Sequence, residues 1–335
     1  MTRFILLIIL TVSVSNAFSQ KLLPPTGGVY HSAFPDMGPT EDEVSMNRVQ
    51  EFEILTGKDI VWAYFSDNWF DGINFPFKEA EAIRKAGSIP FIRMMPRSDW
   101  TEGQQDPKYS LQNIIDGKFD DELRQYARDS KKFGAPLLME FGTEMNGDWF
   151  PWSGTYNEGP VVFRDTYRHI IDIFDQEGAD NVTWFFHVND YSAPSREGNS
   201  MKSYYPGDDY IDWIGVSIYG VQEPGDLYVQ FSDILDDVIT ELSEISPDKP
   251  LAILEFGTID EPGTNSQSQW VKNALLTITS DKYPRIKAIS YWHSKWNNDN
   301  GSVSNMRLDS SEETLQIYME IISSDFFITK PSFSK

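Results

Sequence analysis

The chain has no cysteine, few basic residues and only 4 histidines in 335 residues. Without cysteine it forms no disulfide, iron–sulfur cluster or thiolate zinc site, and it has no thiol nucleophile. Its 28 Lys and Arg stand against 51 Asp and Glu, which gives a formal charge of -23. Nucleic acids and anionic lipid surfaces need a basic face. We therefore expect a neutral ligand and no nucleic-acid partner.

Several catalytic and cofactor motifs are also missing. The chain contains no Gly-x-Ser-x-Gly elbow of a serine hydrolase, and Gly27-Gly28 precedes a strand pattern, so it forms no phosphate cradle. The histidines lack the spacing of a zinc site. We interpret the Asn-rich run 297–300 as a polar loop and not as a calcium site. The sequence thus predicts no metal and no organic cofactor.

The first residues form a separate segment. Arg3 is followed by an apolar run at 4–12 and then by small and polar residues to position 19. This order is typical of a secretory signal peptide, and the run is shorter than the roughly 20 residues that span a bilayer. We expect residues 1–19 to be removed. The mature chain is then a monomer in the periplasm, at the cell surface or in the medium, without a membrane anchor.

Eight short β-rich segments alternate with helical patterns along residues 20–335. Most of the strand segments are continuous apolar runs, which is typical of strands buried on both faces. The predicted strands are 28–34, 59–65, 88–94, 136–141, 181–188, 211–218, 251–256 and 286–292. The predicted helices are one opened by a capping box at 40–43, then 77–86, 111–133, 161–177, 232–245, 266–280 and 312–322, with 200–207 the weakest. This alternation predicts an α/β chain that forms a single (β/α)8 TIM barrel, with its site at the carboxyl ends of the strands.

Two glutamates lie where predicted strands end. Glu144 follows the fourth strand and Glu255 ends the seventh, and a barrel brings these two strand ends across its mouth. Glycoside cleavage needs such a pair, one carboxyl as proton donor and one carboxylate as nucleophile or base. The alternative from the residues alone is that Glu144 and Glu255 cap helices or pair with arginines.

Tryptophans surround the predicted strand ends. They are Trp69, Trp149, Trp152, Trp292 and Trp296. A tryptophan exposed on a loop is costly unless it binds a partner, and sugar rings present apolar C–H faces to an indole. The alternative is that each of them packs against the barrel rim.

Three sequence blocks carry a family resemblance. They are Glu-Met-Asn-Gly-Asp-Trp-Phe-Pro-Trp at 144–152, Leu-Glu-Phe-Gly at 254–257, and 208–216, which precedes Tyr219. With Trp292 in the eighth strand, the chain resembles glycoside hydrolase family 26 along residues 25–325. This family comprises (β/α)8 retaining endo-glycanases that are best known as β-mannanases.

The resemblance implies roles for individual residues. It implies that Glu144 is the acid/base, that Glu255 is the nucleophile and that Tyr219 hydrogen-bonds Glu255. It also implies that Trp292 lies under the sugar that is cleaved and that Trp149 lies near the cleavage point. Further candidates for substrate binding are Asn146, Arg93, His187, Trp69, Trp152 and Trp296.

The chain departs from the family pattern at two positions. Thr143 stands where members commonly have histidine before the acid/base, and Glu140 stands where they commonly have arginine. Glu140 reverses a local charge, so either it points into the core against a compensating base or the site is organised differently. Arg93, at the end of the third strand, and Arg97 are both within reach of this region.

The histidines are interpreted by their positions. His169 lies in a helical pattern and is structural. His31, His187 and His293 lie near strand ends, where they either bind sugar hydroxyls or are satisfied in the core.

These observations predict a secreted retaining endo-β-glycanase with a polysaccharide substrate, β-1,4-mannan first. Mixed-linkage β-1,3-1,4-glucan and β-1,3-xylan are alternatives, because the departures lie near the reacting sugar. A non-catalytic glycan-binding barrel is the alternative from another class. In the catalytic case we expect Glu144 to be protonated and Glu255 to be ionised near neutral pH.

Overall fold

The computed structural model describes residues 20–261, 263, 265–298 and 300–334. The predicted signal peptide, and position 299 of the Asn-rich run, lie outside the described residues. Within the described part of the chain, no helix is long and apolar enough to cross a membrane.

Eight parallel strands form a closed barrel. They are β1 (Val29–Pro35), β2 (Trp62–Asn68), β3 (Ile89–Met95), β4 (Leu137–Phe141), β5 (Val182–Asn189), β6 (Trp213–Tyr219), β7 (Leu251–Gly257) and β8 (Ile286–His293). Each strand pairs with the next in sequence, and β1 also pairs with β8, which closes the sheet on itself. The fold is a single (β/α)8 TIM barrel, as predicted.

All eight predicted strands are present, and each begins within three residues of its predicted start. Every residue of β1, β3, β4, β5 and β7 is buried. Helices cover the outside of the barrel and side chains fill its inside, so neither face of these strands meets water. This is why the strands read as apolar runs without alternation.

The helices lie between the strands and after the last one. They are α1 (Met46–Thr56), α2 (Phe77–Ala86), α3 (Leu111–Ile115), α4 (Asp120–Phe133), α5 (Pro160–Glu177), α6 (Met201–Tyr204), α7 (Phe231–Ile245), α8 (Gln267–Ile278) and α9 (Glu312–Ile322), with 3-10 turns at Trp69–Asp71 and Leu308–Ser310. The predicted segments 77–86 and 312–322 match α2 and α9 at both ends.

Two helix predictions are wrong. The segment 40–43 does not open a helix, because α1 begins at Met46 after Ser45, whose side chain accepts the Arg48 N–H. Glu41 has a φ of 61°, which is outside the helical region. The predicted helix 111–133 is two helices, because Gly117 between α3 and α4 adopts a φ of 78°.

The first and last segments of the described chain pair with each other at the amino-terminal end of the barrel. Leu22–Leu23 pairs antiparallel with Ser332–Phe333, and Phe327–Ile328 lies beside β1. Leu22 donates its N–H to Thr183 Oγ1 of β5 over 2.8 Å and accepts the Trp213 indole N–H of β6 over 3.0 Å. At the opposite end, Lys295–Asn297 and Val303–Asn305 form a hairpin after β8.

Candidate active site

A cleft of about 850 Å³ opens at the carboxyl ends of the strands. Both glutamates predicted to be catalytic line it, together with five of the predicted substrate-binding residues. These five are Arg93, Trp149, Tyr219, Trp292 and Trp296. Because parallel strands end on one rim of a barrel, residues far apart in sequence meet in this cleft.

Glu144 stands in a tight turn after β4. Its φ is 52°, a backbone conformation that costs a residue other than glycine on the order of 1–3 kcal/mol. The Glu144 N–H donates to the backbone oxygen of His187 over 2.9 Å, which holds the turn against β5. The indole N–H of Trp149 donates to Glu144 Oε2 over 2.9 Å. The carboxyl group therefore faces the cleft in a fixed orientation.

Glu255 lies near the end of β7 and is 4% exposed. The pairing of β6 with β7 shifts between Val216 and Ser217, so that Ser217 pairs with Glu255. Tyr219 donates its hydroxyl to Glu255 Oε2 over 2.6 Å. Oε1 makes no hydrogen bond with any described residue and lies 3.3 Å from Arg93 Nη2. Oε2 is thus held by a hydrogen bond, whereas Oε1 has the guanidinium of Arg93 beside it.

Burial raises the pKa of Glu255 to about 7. The charges of Arg93 and His187 and the Tyr219 hydrogen bond act in the opposite direction, while the nearby Glu144 raises the pKa further. Burial thus acts against the ionised form of Glu255, while Arg93, His187 and Tyr219 favour it. The expectation that Glu255 is ionised near neutral pH stays a prediction.

Glu140 points into the barrel and is 1% exposed. Its carboxylate accepts the Tyr64 hydroxyl, and it lies 3.0 Å from His187 Nδ1 and 3.5 Å from Arg93 Nε. Of the two alternatives for this position, the structure shows a core carboxylate with compensating bases. Thr143 is also buried, with its Oγ1 at 2.8 Å from His187 Nδ1. Neither departure from the family pattern forms part of the cleft lining.

The cleft walls are aromatic. Trp292 stacks on Phe34 with ring centres 3.9 Å apart, and this packing fixes its plane. Trp149 and Trp296 are half-buried on the loops after β4 and β8. Trp100, which the sequence analysis missed, is 48% exposed at the cleft and lies 4.1 Å from the Arg97 guanidinium. Trp100 lies on a loop after a strand, as Trp296 does, so the argument that identified Trp296 would also have found Trp100.

Four predicted substrate-binding residues do not line the cleft. Trp69 is fully buried against Tyr109, and Trp152 is buried with its indole N–H donated to the backbone oxygen of Thr143. The apolar surface of these indoles is covered by the barrel rim, so it is not available to a sugar. The prediction that Trp69 and Trp152 contact the substrate is therefore wrong, and both side chains pack within the barrel rim.

Asn146 and His187 are also fully enclosed. The Asn146 amide joins the loop after β4 to the loop after β5, because it accepts the N–H of Asn189 and donates to the backbone oxygens of Asn189 and Tyr191. His187 contacts Glu140 and Ser217 inside the barrel. Both residues support the cleft from behind, and neither reaches a ligand there.

The other histidines are satisfied by protein groups. His31 contacts the Asp59 carbonyl and the Tyr318 hydroxyl, His293 accepts the Leu308 N–H, and His169 on α5 pairs with Asp120. Of the two interpretations for His31 and His293, the core role holds. Across residues 20–261, 263, 265–298 and 300–334, no group of three or more acidic or histidine side chains is arranged to hold a metal ion.

A (β/α)8 barrel with two carboxyl groups in one aromatic cleft at its carboxyl rim is the architecture of a glycoside hydrolase. The model of glycosyl hydrolase family 26 matches residues 105–284 of this chain. The chain therefore belongs to glycosyl hydrolase family 26.

Known relatives carry more than one activity in their names. Endoglucanase H of Acetivibrio thermocellus is 28% identical over 322 residues, which are 94% of this chain and 33% of that protein. A mannan endo-1,4-β-mannosidase of Bacillus subtilis (strain 168) is 27% identical over 173 residues, which are 49% of this chain and 40% of that protein. This chain thus spans between a third and a half of the length of these relatives.

Solved structures share the architecture. The catalytic domain of an endo-β-1,4-mannanase from Bacillus sp. JAMB-750 superposes with a TM-score of 0.63 at 19% identity. The match covers 92% of this chain and 87% of that one. At this identity the likeness concerns the fold.

Proposed function

We propose that this protein is a retaining endo-glycosidase that cleaves a neutral β-linked polysaccharide, with Glu144 as acid/base and Glu255 as nucleophile. The observation that carries this proposal is the pair of carboxyl groups in one cleft with unlike partners. Glu144 accepts an indole N–H, whereas Glu255 lies against a guanidinium and a tyrosine hydroxyl. Unlike environments give two carboxyl groups the separate roles that this chemistry needs.

The reaction takes place in two displacements. Glu255 attacks the anomeric carbon while the glycosidic C–O bond breaks and Glu144 donates its proton to the leaving oxygen. A covalent glycosyl-enzyme results. Glu144, now a carboxylate, takes a proton from water, and this water releases the sugar from Glu255. Each displacement inverts the anomeric centre, so that the product retains the original configuration.

The charge of the cleft favours a neutral sugar chain. Its lining includes Glu41, Glu102, Glu144 and Glu255 against Arg93 and Lys295. Even with a proton on Glu144, the lining holds no excess of cations, so within a chain of net charge -23 it offers uronic acids and sulfated sugars no basic site. The indoles of the walls offer the flat apolar surfaces on which neutral pyranose rings stack.

Mixed-linkage β-glucan is the first substrate to test, and β-1,4-mannan is the second. The match to an endoglucanase runs along 94% of this chain, whereas the match to the mannosidase covers 49%. The sequence alone favoured mannan first, and β-1,3-xylan remains a third candidate.

The test is product release from these three polymers and cellulose by the wild-type chain and by Glu144→Gln and Glu255→Gln. We expect a ladder of oligosaccharides from one polymer and its loss in both variants by a factor of about 10² or more. Glu81→Gln is the matched control, since Glu81 pairs with Arg84 on the outside of α2. Turnover that survives both catalytic substitutions would reject these residue roles.

A second outcome would identify a different function. If no polymer is cut but one is bound with an affinity that Glu144→Gln leaves intact, the protein is a glycan-binding barrel. Export is part of the proposal as well, because a polymer substrate lies outside the cell and residues 1–19 have the pattern of a secretory leader. The amino-terminal sequence of the protein recovered from the medium or periplasm tests it.

A further inference from the structure

The carboxylate of Glu140 lies inside the barrel on β4, below the catalytic pair. Three side chains from three other strands meet it: Tyr64 of β2, Arg93 of β3 and His187 of β5. The proposed reaction assigns no step to this group. Burying a carboxylate costs free energy unless the charge is paired. The three partners of Glu140 compensate this cost.

Arg93 connects this arrangement to the nucleophile. Its guanidinium has Nε at 3.5 Å from Glu140 Oε1 and Nη2 at 3.3 Å from Glu255 Oε1. It also lies over the rings of Tyr64 and Trp292, at 5.1 and 5.4 Å from their centres. Its Nη1 donates to Glu41 Oε2 over 2.9 Å, so Glu41 and the ion pair with Glu140 together set the orientation of this planar group beside Glu255.

His187 is the second basic group that Glu140 holds. Its Nδ1 lies 3.0 Å from Glu140 Oε2, and its Nε2 lies 2.8 Å from the Ser217 hydroxyl. Burial lowers the pKa of His187, but Glu140, with Glu255 and Glu144, more than offsets this and raises the pKa above its ordinary value. The position of Glu140 thus favours the protonated form of this imidazole.

We propose that Glu140 is a positioning residue: from inside the barrel it fixes the imidazole of His187 and, together with Glu41, the guanidinium of Arg93 beside the nucleophile Glu255. The inference rests on the proposed role of Glu255. Position 140 thus provides an anion where the family commonly has a cation, and the guanidinium beside the nucleophile comes from β3 instead. Glu140 thus acts on the site from inside the barrel, without lining the cleft itself.

The charges that face Glu255 set the direction of the expected effect. The groups that act on Glu255 most strongly are Arg93, His187, Glu144 and Tyr219. In Glu140→Gln, His187 loses the carboxylate beside its Nδ1, which favours its neutral form, while Arg93 loses an ion pair at its Nε and keeps its hydrogen bond to Glu41. Both losses outweigh the removal of the more remote charge of Glu140. The ionisation of Glu255 then moves to higher pH.

The experiment is the pH profile of kcat/KM for Glu140→Gln against the wild-type enzyme. We expect the acid limb to move upward by about one pH unit, since a close opposite charge shifts a carboxyl pKa by about 1–3 units. His187→Asn, which keeps Glu140 but removes the cation, is expected to move the limb in the same direction. An acid limb that stays in place or moves downward in Glu140→Gln would overturn the proposal.

Asp67→Asn is the matched control. Asp67 is the last but one residue of β2 and accepts the Tyr126 hydroxyl over 2.8 Å, so the change also removes a buried, tyrosine-bonded carboxyl group. Asp67 does not line the cleft. We expect the acid limb to stay in place even if the protein melts earlier, whereas an equal shift in both variants would mean that loss of stability, and not Glu140, moves it.

A second readout needs no turnover. The pH dependence of the stability difference between a chain and its Glu255→Gln version reports the pKa of Glu255 in the folded state. This midpoint is measured in the wild-type background and in the Glu140→Gln background. We expect it to lie at a higher pH in the Glu140→Gln background. If the wild type cuts no polymer, the proposed function fails, and this midpoint still decides whether Glu140 controls Glu255.

Discussion

The indole N–H of Trp149 donates to Oε2 of Glu144 over 2.9 Å, so this tryptophan holds the carboxyl group that we propose as the proton donor. As Glu144 gives up its proton, negative charge grows on the carboxylate that this N–H contacts. The hydrogen bond is therefore stronger in the transition state than in the ground state, which is the condition for it to accelerate the reaction.

Trp149→Phe keeps an aromatic ring and removes this donor. We expect kcat on the polymer to fall about tenfold with KM nearly unchanged, since a hydrogen bond to a charged group contributes about 1.5–3 kcal/mol. The check is a second substrate with an activated aryl leaving group, which departs without protonation and should show little loss. An equal loss on both substrates would mean that the indole only packs the loop.

Trp100 is expected to bind sugar units away from the cleavage point. Its outer face is exposed at the cleft and its position is fixed by Arg97 and by Phe70, whose ring centre lies 5.0 Å away. Trp100→Ala should raise KM for the polymer about tenfold and leave kcat unchanged, because an aromatic contact contributes about 1–1.5 kcal/mol. Trp100→Phe should recover most of the affinity. If oligosaccharides too short to reach Trp100 lose as much as the polymer, this assignment fails.

The raised pKa of Glu255 makes stability depend on pH. The folded pKa is about 7 against an ordinary value of 4.5, so between these values the folded chain binds more protons than the unfolded one. The contribution of Glu255 is fully present below about 4.5 and is lost as the pH rises through about 7. Glu255→Gln removes this dependence.

Denaturation with urea at pH 4.5 and at pH 8 measures the effect. From the lower to the higher pH, the free energy of unfolding of the wild type should fall relative to Glu255→Gln by on the order of 3 kcal/mol. A difference between the two chains that stays constant with pH would show that Glu255 ionises at its ordinary pH.

Residues Leu22–Leu23 are expected to stabilise the amino-terminal end of the barrel. Leu22 donates its N–H to Thr183 Oγ1, a buried bond over 2.8 Å. Thr183→Val keeps the shape but leaves this donor without a partner, which should lower the free energy of unfolding by about 1–3 kcal/mol. Thr183→Ser retains the hydroxyl and should lower it less. Equal losses in the two variants would assign the effect to packing.

Much of the fold follows from local sequence. The apolar runs and their alternation with helical patterns predict eight strands in order, because strands buried on both faces need a continuous apolar stretch. The helix boundaries that went wrong, at 40–43 and near Gly117, depend on backbone angles that composition does not specify. Glu144 and Glu255 were recognisable because each ends an apolar run beside a turn, and strand ends are where a barrel carries its chemistry.

The sequence by itself thus determined the barrel fold. It also identified, as candidates, the two glutamates and several of the tryptophans that line the cleft. Only the tertiary structure decided which of these side chains reach the cleft and which are buried. Trp69 and Trp152 resemble Trp149 and Trp296 in sequence, yet they pack inward, because burial depends on residues that other strands bring close. The partners of Glu140 were decided in the same way, since Tyr64, Arg93 and His187 meet it from three different strands. The pKa of Glu255 likewise results from burial and from charges distant in sequence, and only the closed barrel places them around it.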